Sequence, residues 1–290
     1  METVTSADGI RIAFDRHVGG DAGTVILIGG ALSYRAFPKM VELAQTLASR
    51  HALTVINYDR RGRGDSGDTA GVYDVEHEID DLAALLEAVG GSASLFGWSS
   101  GAGLALRAAA SGRIAGIERI VAFEPPFVVD REHHVPPAGL GETLHGLVAA
   151  NHRSETVRFY MTQAMGIPRL FVAPMRVLPI WSKLKATANS TPHDWAVMGE
   201  FMRGEPLRAG DWARVTVPTL VLAGGKSEPL LRTGARAIAE VLPNAVHREV
   251  PDLSHNPDVK ILVPAAAAFL TGRNTAGARP DQQNSIARYR

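Results

Sequence analysis

A chain of 290 residues, 46% hydrophobic and 21% charged, has the length and composition of one large globular domain with room for an insertion. Its 30 basic side chains balance 30 acidic ones, which argues against a nucleic-acid partner. Cysteine is absent, so disulfides, thiolate nucleophiles and thiolate metal ligands are excluded.

The opening METVTSADGIRIAFD has neither the basic n-region nor the apolar h-region of a signal peptide. The longest apolar runs, such as VPAAAAFL near residue 265, fall far short of a membrane span. A cytoplasmic protein with no membrane partner is therefore expected.

Strand and helix patterns then alternate. IRIAF (10–14) and TVILIGG (24–30) read as strands, FPKMVELAQTLASR (37–50) as a helix, and LTVINYD (53–59) as the next strand. EHEIDDLAALLEAVG (76–90) is a helix stopped by Gly-Gly, SLFGW (94–98) a strand and GAGLALRAAASG (101–112) a helix. ERIVAFE (118–124) is a strand that ends at Pro125-Pro126. Strands apolar on both faces and spaced by helices predict a mostly parallel central sheet covered by helices on both sides.

Residues 127–213 break the pattern. They hold no convincing strand, only helical stretches rich in aromatics and methionine: ETVRFYMTQAMG, FVAPMRVLPIWSKLKA and HDWAVMGEFMRG. Alternation resumes with TVPTLVLAGG (216–225), LLRTGARAIAEVLP (230–243), AVHREVP (245–251) and DVKILVPAAAAFLTG (258–272). The predicted organisation is an α/β core of residues 1–126 and 214–272, with a helical insertion of 127–213 between the strand ending at Glu124 and the strand starting near Thr216. Residues 273–290, polar with scattered arginine, are expected to form a mobile tail.

Within LFGWSSGAGLALRAA (95–109) two serines stand side by side. The pattern Gly-x-Ser-x-Gly fits one register alone, Gly97-Trp98-Ser99-Ser100-Gly101, so Ser99 is the candidate nucleophile. It follows a strand and opens a helix, the setting of a nucleophile elbow. The N–H of Ser100, at the helix start, is placed to bind an oxyanion.

On these residues the chain resembles the α/β-hydrolase fold superfamily. Three further stretches match. YDRRGRGDSG (58–67) resembles the family's Asp-x-Arg-Gly-x-Gly-x-Ser turn, with Asp59, Arg61 and the glycines tying a loop beside the elbow; it lacks the Gly-Lys-Ser/Thr end of a phosphate loop. LIGGALS (27–33) takes the place of the family's His-Gly-x, with Gly29 where a histidine is common; by position the Ala31 N–H is the second oxyanion donor. LSHNPD (253–258) occupies the place of the catalytic histidine, which makes His255 the general base. His133 and His134 are adjacent and lack spaced partners, so no metal site is expected there.

A serine–histidine pair needs an acid to orient the imidazole. The family's usual loop reads AGGKSEPLLR here, with Ser227 in the aspartate's place and Glu228 one residue late. A minority of the family carries the acid one strand after the elbow, which here is Glu124. Glu124 is favoured, because a carboxylate closing an apolar strand needs a polar partner; Glu228 is the alternative.

A serine nucleophile implies acyl transfer without metal or organic cofactor. The resemblance implies a serine hydrolase with a lid, acting on a small to medium, mainly hydrophobic ester or lactone. Carbon–carbon bond or thioester hydrolysis is an alternative, as is a non-catalytic ligand-binding protein on the same scaffold. Gly30, Tyr34, Trp98, Met161, Trp181 and Met198 are candidate pocket residues. A monomer or homodimer with a small-molecule substrate is expected.

Overall fold

In the computed structural model, which describes residues 1–272, eight strands join in one sheet. They are β1 (Glu2–Thr5), β2 (Arg11–His17), β3 (Thr24–Ile28), β4 (Thr54–Tyr58), β5 (Ala93–Trp98), β6 (Ile117–Phe123), β7 (Thr219–Gly224) and β8 (Ala245–Val250). Their order across the sheet is β1-β2-β4-β3-β5-β6-β7-β8. β2 is antiparallel to both its neighbours, and all the other pairs are parallel. The tail expected over 273–290 lies outside the described residues.

Helices α1 (Pro38–His51), α2 (Val75–Ala88) and α3 (Ser100–Ser111) follow β3, β4 and β5. Between β6 and β7 come α4 (Leu140–Ala149), α5 (Arg153–Phe159), α6 (Arg169–Met175), α7 (Ile180–Ala186), α8 (Thr191–Met198) and α9 (Ala209–Trp212). Helix α10 (Pro229–Val241) follows β7, and α11 (Val259–Leu270) follows β8.

Side chains of a strand alternate between faces, and the core sorts accordingly. Ile26, Ile28, Leu95, Ile120 and Ala122 face one layer with Leu82 and Leu85 of α2, Leu104 of α3 and Ile238 of α10. Val25, Leu27, Phe96, Val121 and Phe123 face the other with Leu43 and Leu47 of α1 and Leu262 and Val263 of α11. Both faces of the central strands are therefore dry, as their unbroken apolar runs predict. β7 starts at Thr219 rather than 216, because Pro218 has no amide N–H to extend the ladder. β1 escapes sequence reading: ETVT is short, polar and exposed at the sheet edge.

The helical segment between β6 and β7 is joined to the core at both its ends. Phe127 and Val128 lie in the sheet's apolar layer with Met198, Met202 and Trp212. Val128 N–H donates to Phe201 O at 2.9 Å, and Gly204 N–H returns the bond to Val128 O at 2.9 Å. The middle of the segment buries its own cluster, with Leu144, Val157, Met161 and Trp181 packed around Leu32 from the loop after β3. Helix α8 lies on α3, where Gly103 leaves room for the Met198 sulfur that a Cβ would overlap.

Candidate active site

Ser99 sits between β5 and α3 at φ 56°, ψ −123°, a conformation that residues other than glycine seldom adopt. The turn is sharp because its glycines allow two close approaches. A Cβ on Gly97 would overlap the backbone of α3 at Gly101 and Ala102. A Cβ on Gly101 would overlap the carbonyl oxygen of Ile28 in β3 and stand 2.7 Å from its carbon. The motif's two glycines thus press α3 against the central strands and leave the serine on the outside of the bend. Gly30 approaches Ser99 from the next loop, where an added Cβ would lie 3.0 Å from the Ser99 Cβ.

Glu124 follows the last residue of β6 at φ 48° and is fully buried. Its Oε1 accepts the Gly224 N–H at 2.6 Å, and its Oε2 meets His255 Nδ1 at 2.6 Å. His255 stands in the loop after β8, its ring stacked on Phe123 at 6.3 Å between centroids and edge-on to Trp98 at 6.4 Å. With Nδ1 committed to Glu124, Nε2 is the nitrogen left for proton exchange. Glu228 is placed otherwise: it is the exposed N-cap residue of α10 and stands on the wall of the cavity that Ser99 and His255 share. Ser227, at the position expected for an aspartate, is buried.

Ala31 and Ser100 line the same cavity. The Ser100 side chain turns away from it into a network that sequence reasoning did not foresee. Arg60, Arg63, Glu78 and Asp194 are all buried to within 2% of complete. Arg60 grips Glu78 through two bonds of 2.7 Å and reaches Asp194 Oδ1 at 2.8 Å and Ser100 Oγ at 3.1 Å. Arg63 donates to Asp194 Oδ2 at 2.7 Å, to Ser190 Oγ at 2.9 Å and to Gly30 O at 2.7 Å. Two cations thus face two anions, and the planar forks of arginine suit such a dry site. Arg61 has a separate task, pairing with Asp81 at 2.6 Å and with Asp8. Asp59 accepts the backbone N–H groups of Arg35 and Asp65 and pairs with the Arg35 side chain, so it ties the 58–67 turn both to itself and to the loop after β3. The signal available in the sequence was three arginines within four residues and acids on the inward face of α2; nothing local marks Asp194 as their partner.

Burial pushes the Glu78 carboxyl up, but Arg60, then Arg63 and the Tyr73 hydroxyl, outweigh it and hold it down to about 2. A depressed carboxyl stabilises the fold above its unfolded value and loses that contribution as pH falls. Glu78 by itself is thus expected to contribute a loss of about 3 kcal/mol between about pH 4.5 and pH 2, and Glu78→Gln, though less stable overall because Arg60 loses its bidentate partner, to flatten that part of the profile. Urea midpoints measured across this range check it; an equally steep loss in the variant refutes the assignment.

The cavity holds about 610 Å³. Of the six candidate pocket residues, Met198 lines it. Gly30 abuts Ser99, and Trp98 packs beside Phe123 and His255. Tyr34 stands edge-on to Phe37 at 6.2 Å. Met161 and Trp181 are buried in the helical segment's own cluster, where the Trp181 indole donates to Ser154 Oγ at 3.0 Å. Phe171, from the aromatic and methionine-rich stretches, lines the cavity, as do His133 and His134; Tyr160, Ile167, Leu230 and Leu231 line it without having been singled out. His133 Nδ1 pairs with Asp130 at 2.8 Å and His134 Nε2 with Gln163 O at 2.8 Å. Among the described residues no three His, Asp or Glu side chains converge as metal ligands, and no helix is long and apolar enough to cross a membrane.

Comparison with known proteins agrees with this architecture. A family model described as the alpha/beta hydrolase family matches residues 25–264. An alpha/beta hydrolase from Sphaerobacter thermophilus DSM 20745 is 42% identical with a TM-score of 0.83, over 92% of this chain and 99% of that one. The thermophilic esterase of Thermogutta terrifontis is 21% identical with a TM-score of 0.60, over 92% and 96% of the two chains. The enol-lactonase of Burkholderia xenovorans LB400 is 17% identical with a TM-score of 0.60, over 93% and 97%. The last two share the fold alone. The match over most of the chain and the 42% identity with a hydrolase of the same sheet architecture establish that this protein belongs to the alpha/beta hydrolase family.

Proposed function

We propose that Ser99, His255 and Glu124 act as nucleophile, general base and orienting acid of a serine hydrolase for small to medium, mainly hydrophobic esters or lactones. The observation that carries this reading is the 2.6 Å contact from buried Glu124 to Nδ1 of His255, which lines the cavity onto which the strained Ser99 opens. Glu124 holds the imidazole with Nε2 unprotonated. His255 takes the Ser99 proton as Oγ attacks the substrate carbonyl. The N–H groups of Ala31 and Ser100 bind the oxyanion. His255 then protonates the leaving alcohol and activates water for deacylation. The cycle as written needs only these groups. We place the acyl or alcohol portion against the apolar wall formed by Met198, Phe171 and Leu231, with the 127–213 segment as the lid. An esterase and an enol-lactonase built on the same fold are in keeping with ester and lactone chemistry.

A fluorophosphonate probe is expected to label the protein once, at Ser99, and to leave Ser99→Ala unlabelled. Assays with p-nitrophenyl acyl esters, lactones and thioesters then rank the substrate classes. A folded wild-type protein that neither labels nor turns over any of them overturns the proposal in favour of a ligand-binding role.

A further inference from the structure

The oxyanion donor proposed at Ala31 belongs to a peptide unit whose other end is the Gly30 carbonyl. That carbonyl accepts from Arg63 Nη1 at 2.7 Å, from Ser33 Oγ at 2.8 Å and from Ser33 N–H at 3.3 Å. A peptide is planar, and among the described residues every one is trans, so the N–H points opposite to the carbonyl. Holding the Gly30 oxygen therefore sets the direction of the Ala31 N–H. A cation on the carbonyl also draws electron density from the peptide nitrogen and strengthens the donor at the other end.

Arg63 is held in turn from outside the core. Asp194 of α8 takes its Nη2 at 2.7 Å, and Ser190, just before α8, takes its Nε at 2.9 Å. The second oxygen of Asp194 accepts the Ser100 hydroxyl at 2.8 Å and Arg60 Nη1 at 2.8 Å. One fully buried carboxylate thus reaches both proposed oxyanion donors: the residue that carries the Ser100 N–H directly, and the Gly30–Ala31 peptide through Arg63. Asp194 comes from α8, and Arg60 and Arg63 flank Arg61 and Gly62 in the 58–67 turn. Gly29 and Gly30 have no side chains of their own with which to brace the loop after β3.

Resting on the hydrolase reading above, we infer that Arg63 and Asp194 are positioning residues for the oxyanion hole, so that α8 is a fixed support of catalysis rather than a moving part of the lid. Removing a buried charge singly risks unfolding. The first test is therefore the charge-balanced pair Arg63→Gln with Asp194→Asn, and the second is Arg63→Lys, which keeps the cation but cannot reach Asp194, Ser190 and Gly30 together.

With p-nitrophenyl acetate, both variants are expected to lose about 10- to 100-fold in kcat with KM within about twofold of wild type. Affinity for a trifluoromethyl ketone, whose adduct with serine carries an oxyanion, should fall by the same factor. The thermal midpoint of at least one variant should stay close to wild type. A merely structural role would not move kcat and ketone affinity together in a folded protein. If a folded variant keeps wild-type kcat and ketone affinity while Ser99→Ala is inactive, the positioning role is wrong and the hydrolase reading stands. If Ser99→Ala itself retains wild-type activity, the hydrolase reading fails and this inference fails with it.

Discussion

Glu124→Gln is expected to lower kcat about 10³- to 10⁴-fold while leaving the fold and KM nearly unchanged. The size of the effect comes from a tautomer. Oε1 of Glu124 accepts the Gly224 N–H, a backbone donor at the end of β7 that its pairing with β8 keeps from turning away. A glutamine must therefore keep its carbonyl oxygen on Gly224 and present its NH₂ to His255. Nδ1 then has to accept, the ring proton moves to Nε2, and the nitrogen left for proton exchange is no longer a base. Glu228→Gln, by contrast, alters an exposed group on the cavity wall and should change kcat no more than a few-fold, with any effect falling on KM. Steady-state kinetics on one activated ester decides the matter. Near-wild-type turnover by Glu124→Gln together with an inactive Glu228→Gln would reverse the assignment.

The second large effect is on folding. Gly101→Ala puts a methyl into the carbonyl oxygen of Ile28 and 2.7 Å from its carbon, and 2.8 Å from the Gly29 oxygen. These are backbone atoms of a buried central strand and the turn after it, so neither can yield as a flexible side chain would. Helix α3 must move, taking with it the Ser100 N–H. The expected cost is about 3 kcal/mol or more, with at least about a 100-fold loss of kcat in any protein that still folds. Gly146→Ala makes the same chemical change with the opposite outcome. Gly146 is an exposed residue within α4 with nothing near its missing Cβ, so the methyl should stabilise by up to about 1 kcal/mol. Denaturant midpoints of the two variants check both signs; equal stability would refute the packing argument for the elbow.

The α/β core was readable because its signals are local. Apolar runs such as TVILI and TLVLAG carry strand periodicity, small-residue α3 carries its own helix signal, and Gly97, Ser99 and Gly101 form a motif in one register. The parts that escaped are those whose role depends on partners distant in sequence. Arg60 and Asp194 are 134 residues apart and look like ordinary surface charges in the sequence. Met161 and Trp181 resemble pocket residues by composition, yet the helical segment has a core of its own to fill and uses them there. Tyr160 borders a single π-helical turn after α5, an irregularity no apolar pattern announces.

The amino-acid sequence therefore carried strands β2 to β8, the order of the core helices and the bend at Ser99, because each depends on residues within about one turn or one strand of one another. It left open which of Glu124 and Glu228 faces His255. That choice is geometric: the end of β6 lies beside β7, where the Gly224 N–H orients the Glu124 carboxylate toward the loop after β8, while the start of α10 holds Glu228 out in solvent. The folded chain likewise set the ion pairs behind the loop after β3. Buried charges are stable only when opposite charges meet, and strands, turn and α8 come together only in three dimensions.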